Sequence, residues 1–351
     1  MKMKAYMILD LQFGSTGKGS LAGYLAIERE PDTVVTAWAP NAGHTYIDEN
    51  GREFIHRMLA NGIVSPKLKT ILIGAGSVVD PQCLHDEIFA CKDLLQGKKI
   101  VIHPQAAIVL PEHLNIEKAN VKIGSTMKGS GAALIQKIQR DPDNCNNARM
   151  AFPQDICNKI HAMGVNIVIS ADEYRVAIKQ AKVMQIEGAQ GYSLSVHHGF
   201  YPYCTSRDVT PAQVMADCCI PYSIKPEVYG TLRTFPIRVA NRYDENGKLI
   251  GTSGCGYDDQ VELDWSKVGV EPELTTVTKL PRRVFSFSLM QTQEACFQCS
   301  PDYLFLNFAN YMHEDDLATL KTRIEAATGI PVRWLGFGAT HNDVVDLGEI
   351  S

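Results

Sequence analysis

Ala5-Tyr6-Met7-Ile8-Leu9, then Gly14-Ser15-Thr16-Gly17-Lys18-Gly19-Ser20, then Leu21-Ala22-Gly23-Tyr24-Leu25: this stretch decides the fold. The first run reads as a buried strand and the last as the body of a helix. The glycines between them let backbone N–H groups close on an anion at the helix N-terminus, and Lys18 adds a point charge. The spacing is not that of the phosphate loop of ordinary nucleotide hydrolases, which sets four residues between its glycines before the lysine. Further buried strands are predicted at Ile71-Leu72-Ile73, Ile100-Val101-Ile102, Val165-Asn166-Ile167-Val168-Ile169 and Val183-Met184-Gln185-Ile186. Glu314-Asp315-Asp316 opens a helix with Leu317, Leu320, Ile324 and Ala327 on one face, closed by Gly329. Val332-Arg333-Trp334-Leu335 follows as another strand. Strands alternating with helices predict an α/β fold, with a central, largely parallel mixed sheet flanked by helices. No repeat, linker or shift of composition divides the chain, so one domain over residues 1–351 with long functional loops is expected.

Composition narrows the function. Of 351 residues, 45% are hydrophobic and 21% charged, the balance of a globular protein with a large core. A net charge of −5 argues against general nucleic-acid binding but leaves room for a local basic pocket. No stretch reads as a signal peptide or reaches membrane-spanning length, and a cytoplasmic location is expected. Ten cysteines without a framework fit a reducing compartment. Cys296 and Cys299 form a metal-like pair, but no second pair completes a zinc site, so they read as structural thiols. Cys218-Cys219 reads as core.

Ligands gather where the strands of such a sheet end and loops begin. Asn41-Ala42-Gly43-His44-Thr45 follows the apolar Val34-Val35-Thr36-Ala37-Trp38. Gly124-Ser125-Thr126-Met127-Lys128-Gly129-Ser130-Gly131 offers hydroxyls, glycines and a cation to a phosphate. Glu187-Gly188-Ala189-Gln190-Gly191 leaves a buried strand with a carboxylate and an amide. Thr275-Thr276-Val277-Thr278-Lys279, with Arg282-Arg283 behind it, supplies donors for a carboxylate. Each loop alone also reads as turn chemistry or a solvated edge.

Together, in this order, they resemble the adenylosuccinate synthetases. Asn41 to Thr45 is identical to that family's pattern, and Glu187 to Gly191 and Tyr201-Pro202-Tyr203-Cys204-Thr205-Ser206 follow it closely. The resemblance runs from the first strand nearly to the C-terminus. It implies a fold related to the P-loop nucleotide hydrolases and a ligase that phosphorylates a purine nucleotide at O6. The amine of L-aspartate then displaces the phosphate, so one hard displacement becomes two easier ones, and positioning with charge neutralisation does most of the work.

The resemblance also implies site residues. Gly14, Thr16, Gly17, Lys18, Gly19, Gly43, His44, Thr45, Asn307 and Gly338 would meet the phosphate donor. Lys18 would neutralise the transferring group, and His44 would bond the leaving oxygen. Gln190 would position the purine near O6. Asn41, Ser125, Thr126, Leu194 and Thr205 would hold the nucleotide substrate together with Ser15. Thr275, Thr276, Val277, Thr278 and Arg282 would hold L-aspartate. The Gly43 carbonyl, with position 15, would meet Mg²⁺. Arg140 would cross a homodimer interface to the partner's nucleotide, with Arg149 as its rival.

The departures from the family pattern point to a particular substrate. Ordinary members carry an aspartate where this chain has Ser15; that carboxylate takes the N1 proton of IMP, and a serine has no comparable basicity. The shorter side chain leaves space for a 2-amino group beside N1, and the swap marks a phage-associated branch, the 2-amino-2′-deoxyadenylosuccinate synthetases, which act on dGMP. Leu280 stands where the family's arginine reaches the ribose 2′-hydroxyl, which suits a deoxyribose. Phe305-Leu306-Asn307-Phe308-Ala309 replaces the Lys-x-Asp element that reads guanine, which suits ATP or dATP as donor. Glu187, the substrate phosphate, the carboxylate of aspartate and water are the candidates for the missing base. The competing expectations are an ordinary synthetase using IMP and GTP, and a catalytically silent nucleotide-binding protein.

Overall fold

The computed structural model describes residues 3–120, 127–275 and 280–348. Its centre is a ten-stranded sheet. The strands are β1 (Lys4–Asp10), β2 (Thr33–Thr36), β5 (Thr70–Ile73), β6 (Lys99–Ile102), β7 (Asn166–Ile169), β8 (Val183–Glu187), β9 (Glu227–Arg233), β10 (Tyr303–Asn307), β11 (Val332–Gly336) and β12 (Val344–Asp346). They lie in the order β12-β11-β10-β9-β1-β8-β2-β5-β6-β7. Every neighbouring pair is parallel except β11 with β12. A separate hairpin, β3 (His44–Ile47) with β4 (Glu53–His56), stands beside the sheet.

The strands form where the apolar runs predict, because helices cover both faces of a parallel sheet and each strand buries side chains in both directions. In β1, Met7 and Leu9 join one core cluster while Tyr6 and Ile8 join another, the two-residue alternation of a strand. The predicted C-terminal helix spans Glu314–Thr328; Leu317, Leu320 and Ile324 are buried and Gly329 caps it in the left-handed conformation. Cys296 and Cys299 lie buried on the helix Leu289–Cys299, and burial pushes both thiols up to about 12, which makes them inert core atoms.

Topology fixes where a ligand sits. The chain leaves β1, builds β2, β5, β6 and β7 to one side, and returns as β8 between β1 and β2. It then crosses to β9 on the far side of β1. The direction of build-up reverses around β1, so the crevice at the carboxyl ends of β8, β1 and β9 is the place where such sheets bind ligands.

Candidate active site

Helix α1 (Lys18–Arg29) begins directly after the glycine turn. Gly17, at φ 90, is its N-cap, and no side chain caps it, which leaves N–H groups at the helix end for another acceptor. Small residues set its closeness to the hairpin. A Cβ on Gly19 would stand 2.5 Å from the Thr45 carbonyl oxygen, and one on Gly23 would stand 2.2 Å from the Tyr46 ring. The helix therefore packs backbone to backbone against β3 and brings Lys18 and His44 to the same crevice.

Asp10, the last residue of β1, organises the loop. Its Oδ1 accepts from the Gln12 and Gly14 amides at 2.9 and 3.2 Å. Its Oδ2 accepts from the Thr16 amide at 3.3 Å, the Thr16 hydroxyl at 2.5 Å and Lys18 Nζ at 3.1 Å. Lys18 Nζ also donates to the Gln190 carbonyl at 2.8 Å. The Asn307 amide ties the end of β10 to the same loop, donating to the Thr16 carbonyl at 3.3 Å and accepting from the Phe308 amide at 2.8 Å. Ser15 stands exposed at the crest, left-handed at φ 57.

His44 is buried and lies parallel to Trp38, with ring centroids 3.9 Å apart. Trp38 is itself fixed, its indole N–H donating to the Glu187 carbonyl at 2.8 Å. Burial first, then Lys18 and His56, hold the His44 imidazole well below the usual histidine range. At neutral pH the ring is uncharged and carries one N–H donor beside the phosphate loop.

On the other side of the loop, Gln190, left-handed at φ 63, donates from its side chain to Asn41 Oδ1 at 3.4 Å. Asn41, Gln190, Ser130, Thr205 and Arg207 line one cleft. The Thr205 amide donates to the Leu194 carbonyl at 2.7 Å, and Leu194 approaches Gly14. Residues 273–275 and 280–282 pair antiparallel as the two arms of a hairpin: the Thr275 amide donates to the Leu280 carbonyl at 2.8 Å, and the Leu280 amide to the Thr275 hydroxyl at 3.1 Å. Arg283 is engaged by Glu262 and the Gly254 carbonyl, whereas Arg282 makes no ion pair among the described residues. Gly338 lies in the loop after β11, which Thr340 joins to Ile47 of β3 through a parallel bridge. Ser125, Thr126, Thr276, Val277 and Thr278 lie outside the described residues.

Two placements qualify the simplest sequence reading, and a third, that of Arg140, is compatible with its expected reach to a partner. The Asn307 side chain also serves the protein's own loop, using one of its N–H donors and one lone pair there. Arg140 is exposed at the far end of helix α2 (Ser130–Gln139), about 15 Å from Ser130 at the 1.5 Å rise of a helix. Glu187, offered as a proton acceptor, accepts from the Asn61 and Gly62 amides at 3.0 and 2.8 Å and from Gln185 at 2.7 Å. Sequence reasoning missed Asp10 and Arg207. A lone acid ending an apolar strand carries no motif, and Arg207 is half-buried, its Nη2 atom buried with no partner among the described residues.

Comparison with known proteins identifies the fold and the family. The family model for adenylosuccinate synthetase matches residues 7–163 and 147–322. The N6-succino-2-amino-2′-deoxyadenylate synthase of Acinetobacter phage SH-Ab 15497 is 50% identical, over 99% of this chain and 95% of its own. The succinoaminodeoxyadenylate synthetase of cyanophage S-2L, solved with dGMP and with dATP as an energy donor, superposes with a TM-score of 0.87 at 42% identity, covering 99% of this chain and 96% of that one. The fully ligated adenylosuccinate synthetase of Plasmodium falciparum shares the fold, at a TM-score of 0.74 and 18% identity over 98% of this chain and 99% of its own. The chain belongs to the adenylosuccinate synthetase family.

Proposed function

We propose that the protein is an ATP- or dATP-dependent ligase that joins L-aspartate to dGMP, giving 2-amino-2′-deoxyadenylosuccinate, the nucleoside diphosphate and phosphate, on the way to 2-aminoadenine deoxynucleotides. The γ-phosphoryl group passes to O6 of guanine as the N1 proton leaves. The amine of aspartate then attacks C6, loses a proton and expels phosphate. Lys18 neutralises the transferring group, and the neutral His44 donates its N–H to the oxygen of the departing diphosphate, where charge develops. Gln190 and Asn41 hold the purine; Ser125, Thr126, Leu194 and Thr205 hold the sugar and its phosphate. The hairpin from Thr275 to Arg282 takes aspartate, Arg282 meeting a carboxylate.

The observation that carries this reading is Ser15. It crowns the loop, exposed, with a short hydroxyl side chain. The 2-amino group of guanine then needs no carboxylate to move aside. Full-length similarity to two phage enzymes whose names specify this chemistry supports the same substrate. Leu280, half-exposed on the hairpin, and the buried Ala309 after β10 support a deoxyribose and an adenine donor.

The protein oxygens proposed for Mg²⁺, the Ser15 hydroxyl and the Gly43 carbonyl, are hard donors of the kind this ion accepts beside substrate phosphates. Bound there, the ion would supply charge neutralisation. A homodimer is supported by Ile135, Ile138 and Met150, which are 60%, 71% and 71% exposed around Arg140 and Arg149. Arg140 points the same way: its helix carries it away from its own cleft. The nucleotide substrates and ten unpaired thiols fit the cytoplasm of a host cell.

The test is phosphate release with Mg²⁺ and L-aspartate, crossing dGMP, GMP and IMP with ATP, dATP and GTP. Turnover of dGMP with an adenine donor is expected; turnover of IMP with GTP alone would overturn the substrate assignment, and no turnover at all would favour a binding protein. Ser15→Asp is expected to lower kcat/KM for dGMP by about tenfold or more, or about 1.4 kcal/mol. An unchanged preference among dGMP, GMP and IMP in that variant would refute the steric reading of Ser15.

A further inference from the structure

Arg233 ends β9, and its side chain is fully buried, yet the chemistry assigned above does not use it. Its guanidinium reaches three segments from distant parts of the chain. Nη1 donates to the Ser15 carbonyl at 3.1 Å, at the crest of the phosphate loop. Nη1 also donates to Glu273 Oε2 at 3.3 Å, and Nη2 donates to Glu273 Oε1, so fork and carboxylate meet face to face. The guanidinium carbon stands 3.9 Å from the centre of the Phe308 ring, in the turn after β10. Glu273 receives the Tyr311 hydroxyl from that same turn at 3.3 Å. Glu273 is also the foot of the amino-acid hairpin, its carbonyl accepting from the Arg282 amide at 2.8 Å.

One cation therefore touches the phosphate loop, the hairpin and the turn that follows β10. The Arg233 side chain is 0% exposed and that of Glu273 25%, so salt screens the pair weakly. The bidentate fork fixes angle as well as distance. A shift of Glu273 must carry Arg233 with it or break the pair, and Arg233 holds the carbonyl of a left-handed, non-glycine residue.

The geometry points to Arg233 and Glu273 as a positioning pair that transmits the seating of the amino-acid hairpin to the crest of the phosphate loop. Phosphoryl-transfer geometry is then completed when the hairpin is aligned for the incoming amine. The assignment of that hairpin to L-aspartate rests on the function proposed above; the mechanical coupling does not.

Two measurements on the full chain test it. Glu273→Gln keeps the side-chain volume and removes the charge, and Arg233→Lys keeps the charge and removes the fork. With saturating dGMP, ATP and Mg²⁺, each variant is expected to raise KM for L-aspartate about fivefold or more while KM for dGMP stays within about twofold. Without ligands, hydrogen exchange in Glu273→Gln is expected to quicken in both the hairpin and the Gly14–Gly17 segment. An unchanged KM for L-aspartate, or a fall in kcat with both KM values unchanged, overturns the pair's positioning role. Faster exchange confined to the hairpin overturns the coupling. If the wild type turns over no nucleotide, the proposed function fails, while the exchange measurement still decides the coupling.

Discussion

Replacing Asp10 by asparagine separates its charge from its shape. The side chain is 0% exposed and holds Lys18, whose own side chain is 8% exposed, at 3.1 Å. In Asp10→Asn the remaining carbonyl oxygen can still accept from the Gln12 and Gly14 amides. The amide nitrogen then faces the Thr16 amide and Lys18 Nζ, two donors where the carboxylate was an acceptor. Breaking a buried pair from one side costs about 3–5 kcal/mol, because the surviving charge stays buried without compensation. For 351 residues the unfolding entropy is near 0.7 kcal/mol per kelvin, so the melting temperature should fall by about 4–7 °C. Differential scanning calorimetry at pH 7.5 without nucleotide measures it directly. Asp10→Asn combined with Lys18→Met should recover at least half of the loss, since the uncompensated ammonium is then gone. A fall below about 1 °C, or a double variant no more stable than the single one, would refute the pairing of Asp10 with Lys18 as the anchor of the loop.

Gly17→Ala should destabilise the loop by about 2 kcal/mol or more, combining a left-handed residue with a lost hydrogen bond. Its Cβ would meet Asn307 Nδ2 at 1.9 Å and drive it from the Thr16 carbonyl; an unchanged melting temperature and KM for ATP would contradict this. Burial holds the His56 imidazole down to about 4, so in NMR titrations that ring should not protonate between pH 8 and 5.5, and the His44 ring, held well below its usual range, should stay neutral through pH 7. Because both pKa values are lowered on folding, the two rings contribute stability above about pH 6.5 that is lost as the pH falls toward the folded values; a midpoint near 6.5 for either ring would show it to be solvated. Ile138→Glu should shift the proposed homodimer to a monomer on a sizing column, and an unaltered elution volume would remove the outer face of α2 from the proposed interface.

The sheet was legible because its strands are apolar on both faces. Met7 and Ile8 feed different cores, so the run Ala5 to Leu9 shows no polar gap and reads as buried. The glycine turn and the loops at Asn41, Gln190 and Thr205 were legible for another reason: each packs unusual residue types into a few positions. What escaped was every partnership across long sequence separations. Glu187 reads as a free carboxylate beside a glycine, but its partners include amides more than a hundred residues earlier, which become neighbours only when β8 inserts between β1 and β2. Arg233 and Glu273 are likewise 40 residues apart, with no local pattern to link them.

Loss of the carboxylate at position 15 changes how the reaction can be controlled. Glu187 was the resident candidate for the missing base, and burial pushes its carboxyl up to about 7, a value suited to proton transfer near neutrality. Its oxygens nevertheless accept from two backbone amides and Gln185, bonds that brace the turn at 61–62 against β8. Using them for catalysis would release that turn. Asp10 is bound still more completely, by the loop it organises. The other candidates drawn from the sequence are the nucleotide's phosphate, the carboxylate of aspartate and water. All three enter with or around the ligands. In the proposed reaction, deprotonation of guanine N1 would then depend on a filled site instead of a resident base, and the position of the crest at Ser15, held by Arg233, would matter more than the acidity of its side chain.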